Sequence, residues 1–352
     1  MKNTHFVSVL FLLLVVFGSC STDVNLYADY KDVAVIYAMI DPQADTNYVK
    51  IIRAFCGSNE EPIDATKIAL IADSSNYPGK LDAHIVELRS LNGGAYEPTG
   101  NVFELDTMIL HNKEFGTFYA PDQKIYYTTG RFNTDRDGKR YKYKLIAVKP
   151  NGDTLTAITS MVGSQEFSII SGGTSFQLAP SNEVGKITFK ADGRAELYDV
   201  RMQFNYREQH AGQPMMFKNV HRSFGTKSLD EFEQVPETNN CYYLEYSVNW
   251  LFFALDNAIG ADTVTDPNHP NVVRYIDDFV LSISAGGQEL YYYYVANQAQ
   301  LNSPVSMIST YSNIDGGCGL FSSRTTISKT LRISASTKRD LFSVSAWGFK
   351  EE

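Results

Sequence analysis

The sequence predicts an all-β protein built of tandem immunoglobulin-like β-sandwich domains, the second carrying one or two inserted helices. Three observations carry that expectation. Aromatic residues make up 13% of the 352 residues, with 22 Tyr and 21 Phe, and aromatic and β-branched side chains fit a pleated, half-buried surface. Short runs of apolar residues, several of them alternating with polar ones, recur along the chain between Gly, Pro, Asn and Asp, as strands and turns require. The dipeptides Asp137-Gly138 and Asn151-Gly152 stand between such runs and favour the positive φ of tight hairpins. The length suffices for two domains with separate cores. A composition of 43% hydrophobic and 20% charged residues is that of a folded chain and not a disordered one.

The elements follow in order. Met1 to His5 carries Lys2 and no acid, Phe6 to Phe17 is apolar except for Ser8, and Gly18-Ser19-Cys20 follows. A basic start, a short apolar core and small residues describe a signal peptide over residues 1–19. Its core of about 12 apolar residues falls short of the ~20 that span a bilayer. The apolar-Gly-Ser-Cys order resembles a lipobox, which implies lipidation of Cys20. Each buried CH₂ of the acyl chains would contribute about 0.8 kcal/mol of anchoring. Residues 20–32 then form a lipidated tether whose polar part, Ser21 to Lys31, reaches roughly 35 Å at about 3.3 Å per residue.

Residues 33–163 are expected to form the N-terminal sandwich. Val33 to Ile40 and Tyr48 to Phe55 flank Asp41-Pro42 and read as a hairpin. His84 to Arg89 alternates as a strand, and Lys124 to Phe132, Tyr141 to Lys149 and Leu155 to Val162 read as a meander. Gly163 to Pro180 is rich in Gly and Ser and marks a boundary. Residues 181–352 form the second domain, with strands at Gly185 to Ala191, Ala195 to Tyr206 and Met215 to Phe224. Leu244, Val248, Leu251, Leu255 and Ile259 fall near a 3.6 period and suggest a helix within Cys241 to Asn257; a strand over Tyr242 to Val248 is the alternative. Asp277 to Ser284 reads as a strand, and Gln288 to Gln298 as a short helix in preference to a strand. Strands at Thr325 to Ser334 and Leu341 to Phe349 close the domain.

The chemistry is narrowed mainly by what the sequence lacks. The net charge is −9 and no Lys/Arg run exceeds a pair, which argues against nucleic acid as a partner. No G-x-S-x-G, H-E-x-x-H, P-loop or dinucleotide fingerprint occurs. The histidines of the body, His84, His111, His210, His221 and His269, share no ligand spacing. No enzyme activity, catalytic residue, metal or cofactor is therefore expected. Asn133-x-Asp135-x-Asp137-Gly138 resembles half an EF-hand loop, but the twelfth position is Lys144 where a bidentate Glu is needed, so a solvated turn is expected. Asp262 to Asn271 reads as a rigid acidic surface loop. Cys56, Cys241 and Cys318 read as buried small hydrophobes, with at most one disulfide among them. Tyr291, Tyr292, Tyr293 and Tyr294 are a candidate interface. Either they contact a protein or glycan, or they edge the core with hydroxyls in solvent. Trp250 and Trp347 lie in apolar stretches that read as buried.

Three stretches together resemble a group of uncharacterised outer-membrane lipoproteins of the Bacteroidetes. They are Lys31 to Tyr37 running on to Tyr48-Val49-Lys50-Ile51, then Ala72 to Tyr77, then Tyr311 to Ile314 with Gly319 to Arg324. The resemblance implies an outer-membrane location, on either face, near β-barrel transporters or the barrel-assembly machinery. The expected function is a non-catalytic binding or accessory subunit, held to the membrane by its lipid and docked on an outer-membrane β-barrel or another envelope protein. A surface module capturing glycan or peptide for an importer is the first alternative. A hydrolase with an unrecognised site is the second, and would show two carboxylates about 5 to 9.5 Å apart in a cleft.

Overall fold

The computed structural model describes residues 33–54, 76–111, 123–171, 175–176, 178, 184–265, 272–302 and 311–351. Cys20 with the rest of residues 1–32, Cys56, and the later part of the Asp262 to Asn271 loop lie outside the described residues. The protein is all-β with three inserted helices among the described residues. None of those helices is long and apolar enough to cross a membrane.

Strands β1 (Val33–Ile40) and β2 (Asn47–Ala54) form the expected hairpin. Asn47 closes its loop, accepting from the Asp41 amide at 2.6 Å and donating to the Asp41 carbonyl at 3.1 Å. Strand β3 (Asp82–Leu91) lies between β4 (Glu97–Glu104) and β7 (Lys139–Val148), and β7 pairs in turn with β8 (Thr154–Ser160). After β4 the chain changes sheets at the buried Leu105. It continues as β5 (Asp106–Leu110), which with β6 (Gln123–Thr128) extends the β1–β2 sheet.

The expected three-strand meander is thereby corrected: β6 pairs with β2 and β5, and only β7 and β8 are hairpin partners. The local reason is the Asp137-Gly138 turn, at φ 51 and 74. It bonds Arg136 to Lys139 in both directions, so it folds the connection on itself instead of joining β6 to β7. Asn151-Gly152, with Gly152 at φ 89, does close β7 on β8. Alternation then turns Ala34, Ile36, Ala38 and Ile40 of β1 toward Tyr141, Tyr143, Leu145 and Ala147 of β7, and these rows make the first core.

The second core is assembled from Val162 onward. A four-stranded sheet runs β14 (Glu233–Gln234), β15 (Cys241–Ser247), β11 (Val184–Lys190), β9 (Ser168–Ile169). Long strands β12 (Ala195–Gln209), β13 (Met216–Ser228), β16 (Val273–Gly287) and β17 (Gly317–Ile333) form the larger layer. Short β10 (Ser175–Phe176) and β18 (Phe349–Lys350) join its margin. Helices α1 (Trp250–Thr265), α2 (Gln288–Asn302) and α3 (Ala335–Ser343) are inserted between strands or follow them. The two readings of Cys241 to Asn257 both hold in succession, with β15 ending at Ser247 and α1 beginning at Trp250. Trp250 and Trp347 are buried.

The expected strand over Leu341 to Phe349 is overturned. Ser334 accepts from the Thr337 amide and caps α3, a 3₁₀ turn follows at Ser345–Trp347, and only Phe349–Lys350 is strand. A capping serine before a polar run satisfies the free amides of a first turn, and that local gain prevails over the strand reading of the residues behind it. The expectation of buried thiols is corrected as well. Cys318 is exposed, Cys241 is half-buried, and both are free. Cys318 occupies an outward position of β17, next to the buried Gly319.

Strand β17 joins the two cores. Gly317 to Ser323 run parallel to β1, from Ala34↔Gly317 to Ile40↔Ser323. Arg324 to Leu331 run antiparallel to β16. One continuous sheet results, ordered β13-β12-β16-β17-β1-β2-β6-β5. Ile314 and Phe321, from the C-terminal part of the chain, are buried in the first core. Asn313 pins this crossing by accepting from the Phe321 amide at 2.9 Å and donating to its carbonyl at 2.7 Å. Gly319, at φ 117, has no room for a Cβ, which would overlap the carbonyl oxygen of Ile36.

Candidate ligand groove

The outward face of the long sheet is laid out in cross-strand rows. Leu197, Gly286 and Arg324 form one row, Asp199, Ser284 and Thr326 the next, and Arg201, Ser282 and Ser328 a third. Hydroxyls face each other directly across β16 and β17: Ser284 Oγ lies 2.8 Å from Thr326 Oγ1, and Ser282 Oγ lies 3.0 Å from Ser328 Oγ. These pairs follow from i, i+2 hydroxyl spacing on two strands held in this register, since alternate residues share a face.

Helix α2 leaves β16 without a loop and folds back over this face. Gly286 gives Leu290 room, because a Cβ there would press into the Leu290 side chain. The Leu290 amide, one of the free donors of a first helical turn, donates to Ser322 Oγ at 3.2 Å. Glu289 accepts from Thr159 Oγ1 of β8 at 2.9 Å and ties the helix to the first core. Burial raises its carboxyl above the usual range, against the lowering effect of its own backbone amide and of Thr159.

The four tyrosines divide between two sides of α2. Tyr293 meets Tyr37 of β1 edge-on at 6.5 Å between centroids, and the Tyr294 hydroxyl donates to the Thr226 carbonyl of β13 at 3.3 Å. Burial, then Tyr293 and Cys318, raise the Tyr37 hydroxyl. Tyr291 packs on Tyr292 at 5.7 Å, and Tyr292 on Tyr311 at 5.6 Å, with Tyr292 44% exposed.

Between α2 and the sheet lies an open groove of about 900 Å³. Its floor is the rows of β12, β16 and β17; Leu290, Tyr293, Tyr294 and Asn297 wall one side, and His221 and Thr226 of β13 the other. Met39 of β1 also lines it, through the continuity that β17 provides. Asp199 is the one carboxylate among the lining residues. It is held by Arg201, whose Nη2 approaches to 2.6 Å. Arg324 is exposed in the groove and has no carboxylate partner among the described residues.

Of the sequence-predicted residues, Tyr293 and Tyr294 enter the groove and Tyr291 and Tyr292 do not. The floor residues were not anticipated, although Ser282-x-Ser284 and Thr326-x-Ser328 stand in the sequence as alternating hydroxyls. The EF-hand-like residues are occupied in structural work. Asp135 accepts from the Tyr141 amide and from Arg194, both at 2.8 Å, and Asn133 donates to Glu87 at 2.8 Å. The one cluster with metal-ligand atoms among the described residues is Asp82, His84 and Glu104, on the outer face of β3 and β4, with the three atoms within 4.8 Å of one another. His84 Nδ1 there lies 3.7 Å from Asp82 Oδ1.

Fold and groove together define an all-β protein with an open polar sheet face under a tyrosine-bearing helix. No known protein-family model matches the chain. No curated protein matches it in sequence either.

Proposed function

We propose that this protein is a lipid-anchored, non-catalytic binding subunit of the bacterial outer membrane, which holds a ligand in the groove beneath α2 and works beside a β-barrel transport or assembly complex. The groove is the observation that carries this reading. Its volume of about 900 Å³ falls in the ~300–1,000 Å³ range of small-ligand sites, and it combines apolar surface from Leu290, Tyr293 and Tyr294 with a few convergent polar groups. The lipobox-like Gly18-Ser19-Cys20 supports the anchor, and the resemblance to Bacteroidetes lipoproteins supports the company of a barrel. A glycosidase-type hydrolase is the weaker reading, because the groove offers Asp199 alone where paired carboxylates are needed. On this reading the two cores are immunoglobulin-like sandwiches in tandem, sharing β17.

Two measurements test it together. Labelled palmitate is expected to enter the full chain and to be lost in Cys20→Ala. Purification from intact membranes is expected to bring a β-barrel protein along in stoichiometric amount. An unlabelled chain recovered free in the culture fluid overturns the anchor, and a labelled chain purified alone overturns the barrel.

A further inference from the structure

We infer that the groove takes an acidic saccharide of the uronic-acid kind, with a sugar carboxylate on Arg324. The inference rests on the reading of the groove as a ligand site and names what fills it.

Charge is the first argument. The chain as a whole carries −9, yet the charged side chains of the groove are Arg201, Asp199 and Arg324. Arg201 and Asp199 neutralise each other at 2.6 Å, which leaves Arg324 as an exposed guanidinium with no carboxylate partner among the described residues. A planar guanidinium matches a carboxylate with two parallel hydrogen bonds. An acidic ligand arriving at an acidic protein would therefore depend on this one residue.

The floor supplies the second argument. In each pair, Ser284/Thr326 and Ser282/Ser328, the mutual bond uses one O–H. The other O–H and the remaining lone pairs stay available, a set of donors and acceptors suited to sugar hydroxyls. Tyr293 and Tyr294 add ring surfaces, and the Thr226 carbonyl holds the second in place.

The third argument sets a saccharide above an acidic peptide. Extended peptides are commonly bound by adding a strand to an open sheet edge. Strands β12 and β16 are paired on both sides at the floor, whereas β17 over Arg324–Leu331 is laddered to β16 alone among the described residues. The backbone groups of β12 and β16 are already in ladders, so over these two strands the floor reads a ligand through side chains.

Calorimetry on the full chain in detergent micelles tests this with three probes: tetragalacturonate, neutral maltotetraose and a tetraglutamate peptide. Tetragalacturonate is expected to bind at least tenfold more tightly than either of the others. Arg324→Gln is expected to weaken it about ten- to a hundredfold, the loss for one charge-assisted pair, and to leave maltotetraose unchanged. Arg324→Lys should recover part of the loss, and Tyr293→Ala should weaken both sugars. Maltotetraose binding as tightly as the uronate, tetraglutamate binding more tightly, an unaffected Arg324→Gln, or no uronate binding overturns the inference. The membrane purification separates this failure from that of the function. If no sugar binds but Arg324→Gln releases the barrel partner, the groove stands and the saccharide falls. If no sugar binds and the partner is retained by every groove variant, both fall.

Discussion

Glu87 in the first core and Glu208 in the second are both buried carboxylates, at 1% and 4% exposure, and they are accommodated differently. Both fall at inward positions of alternating strands, where their neighbours are Ile85 and Tyr206. Glu87 meets neutral donors only: Tyr143 Oη at 2.9 Å, Asn133 Nδ2 at 2.8 Å, Thr99 Oγ1 at 2.8 Å and Asn101 Nδ2 at 3.0 Å. Glu208 meets a guanidinium. Its cross-strand partner Arg274 places Nε and Nη2 each 2.7 Å from Oε2, and Arg274 Nη1 donates to the Trp347 carbonyl. His210 Nε2 lies 2.9 Å from the other oxygen. Burial pushes the Glu208 carboxyl up, but His210 and Arg274 together hold it below the usual range. Burial beside the charged Glu87 raises the Tyr143 hydroxyl. A ring of dipoles gathers groups from β4, β7 and the Asn133 connection around one carboxylate, whereas an ion pair joins two strands. The first ties β4, β7 and the segment before β7 to β3, and the second fixes the far end of β12 and β16.

The largest expected effect breaks the ion pair. Arg274→Ala leaves Glu208 buried without its cation and should cost about 3–5 kcal/mol in urea unfolding. The double variant Glu208→Leu with Arg274→Met should recover most of that, because an apolar pair of similar volume can replace a buried ion pair. Failure to recover would mean that the bond to the Trp347 carbonyl, and not the charge pairing, dominates. Glu87→Gln should cost less, about 1–3 kcal/mol, as its amide turns a donor toward one of four donors.

A pH series sharpens the contrast. The folded-state pKa of Glu208 is depressed, so its contribution is present above the unfolded value of about 4.3 and is lost as pH falls through the folded value. The stability difference between the native chain and Glu208→Gln should therefore be constant above about pH 5 and shrink below it. The smallest effect has the opposite sign. The folded pKa of Glu289 is raised by burial, so its ionised form weakens the fold at neutral pH. Glu289→Gln should raise stability at pH 7, with the gain disappearing as pH falls to about 4.3. Thermal melts across that range read both trends.

The elements that the sequence revealed are those whose pattern is local. Alternation in Val33 to Ile40 and the turn at Asn151-Gly152 sufficed for the hairpins they form. Pairings between distant segments were not legible. Nothing in Val33 to Ile40 announces that its other neighbour is Gly317 to Ser323. Asp137-Gly138 reads as a turn, but a turn signal does not say which strands it joins. The Ser334 cap stands in the sequence, but the residues behind it read as strand, so α3 is not legible from pattern alone. The groove was half legible. Four consecutive tyrosines mark α2 in the sequence, but the hydroxyl pairs depend on a β16–β17 register fixed only in the fold.

Because synthesis runs from the amino end, β1 exists long before the strand that flanks it is made. Pairing from opposite ends of a chain closes late and slowly, so a nascent fragment lacking residues 317–323 would carry a bare flank along Ala34 to Ile40. Such an unpaired flank is a template for stray association. Shortened products ending before Gly317 should accordingly clump or be degraded, even though every other strand of the first core is already present in them.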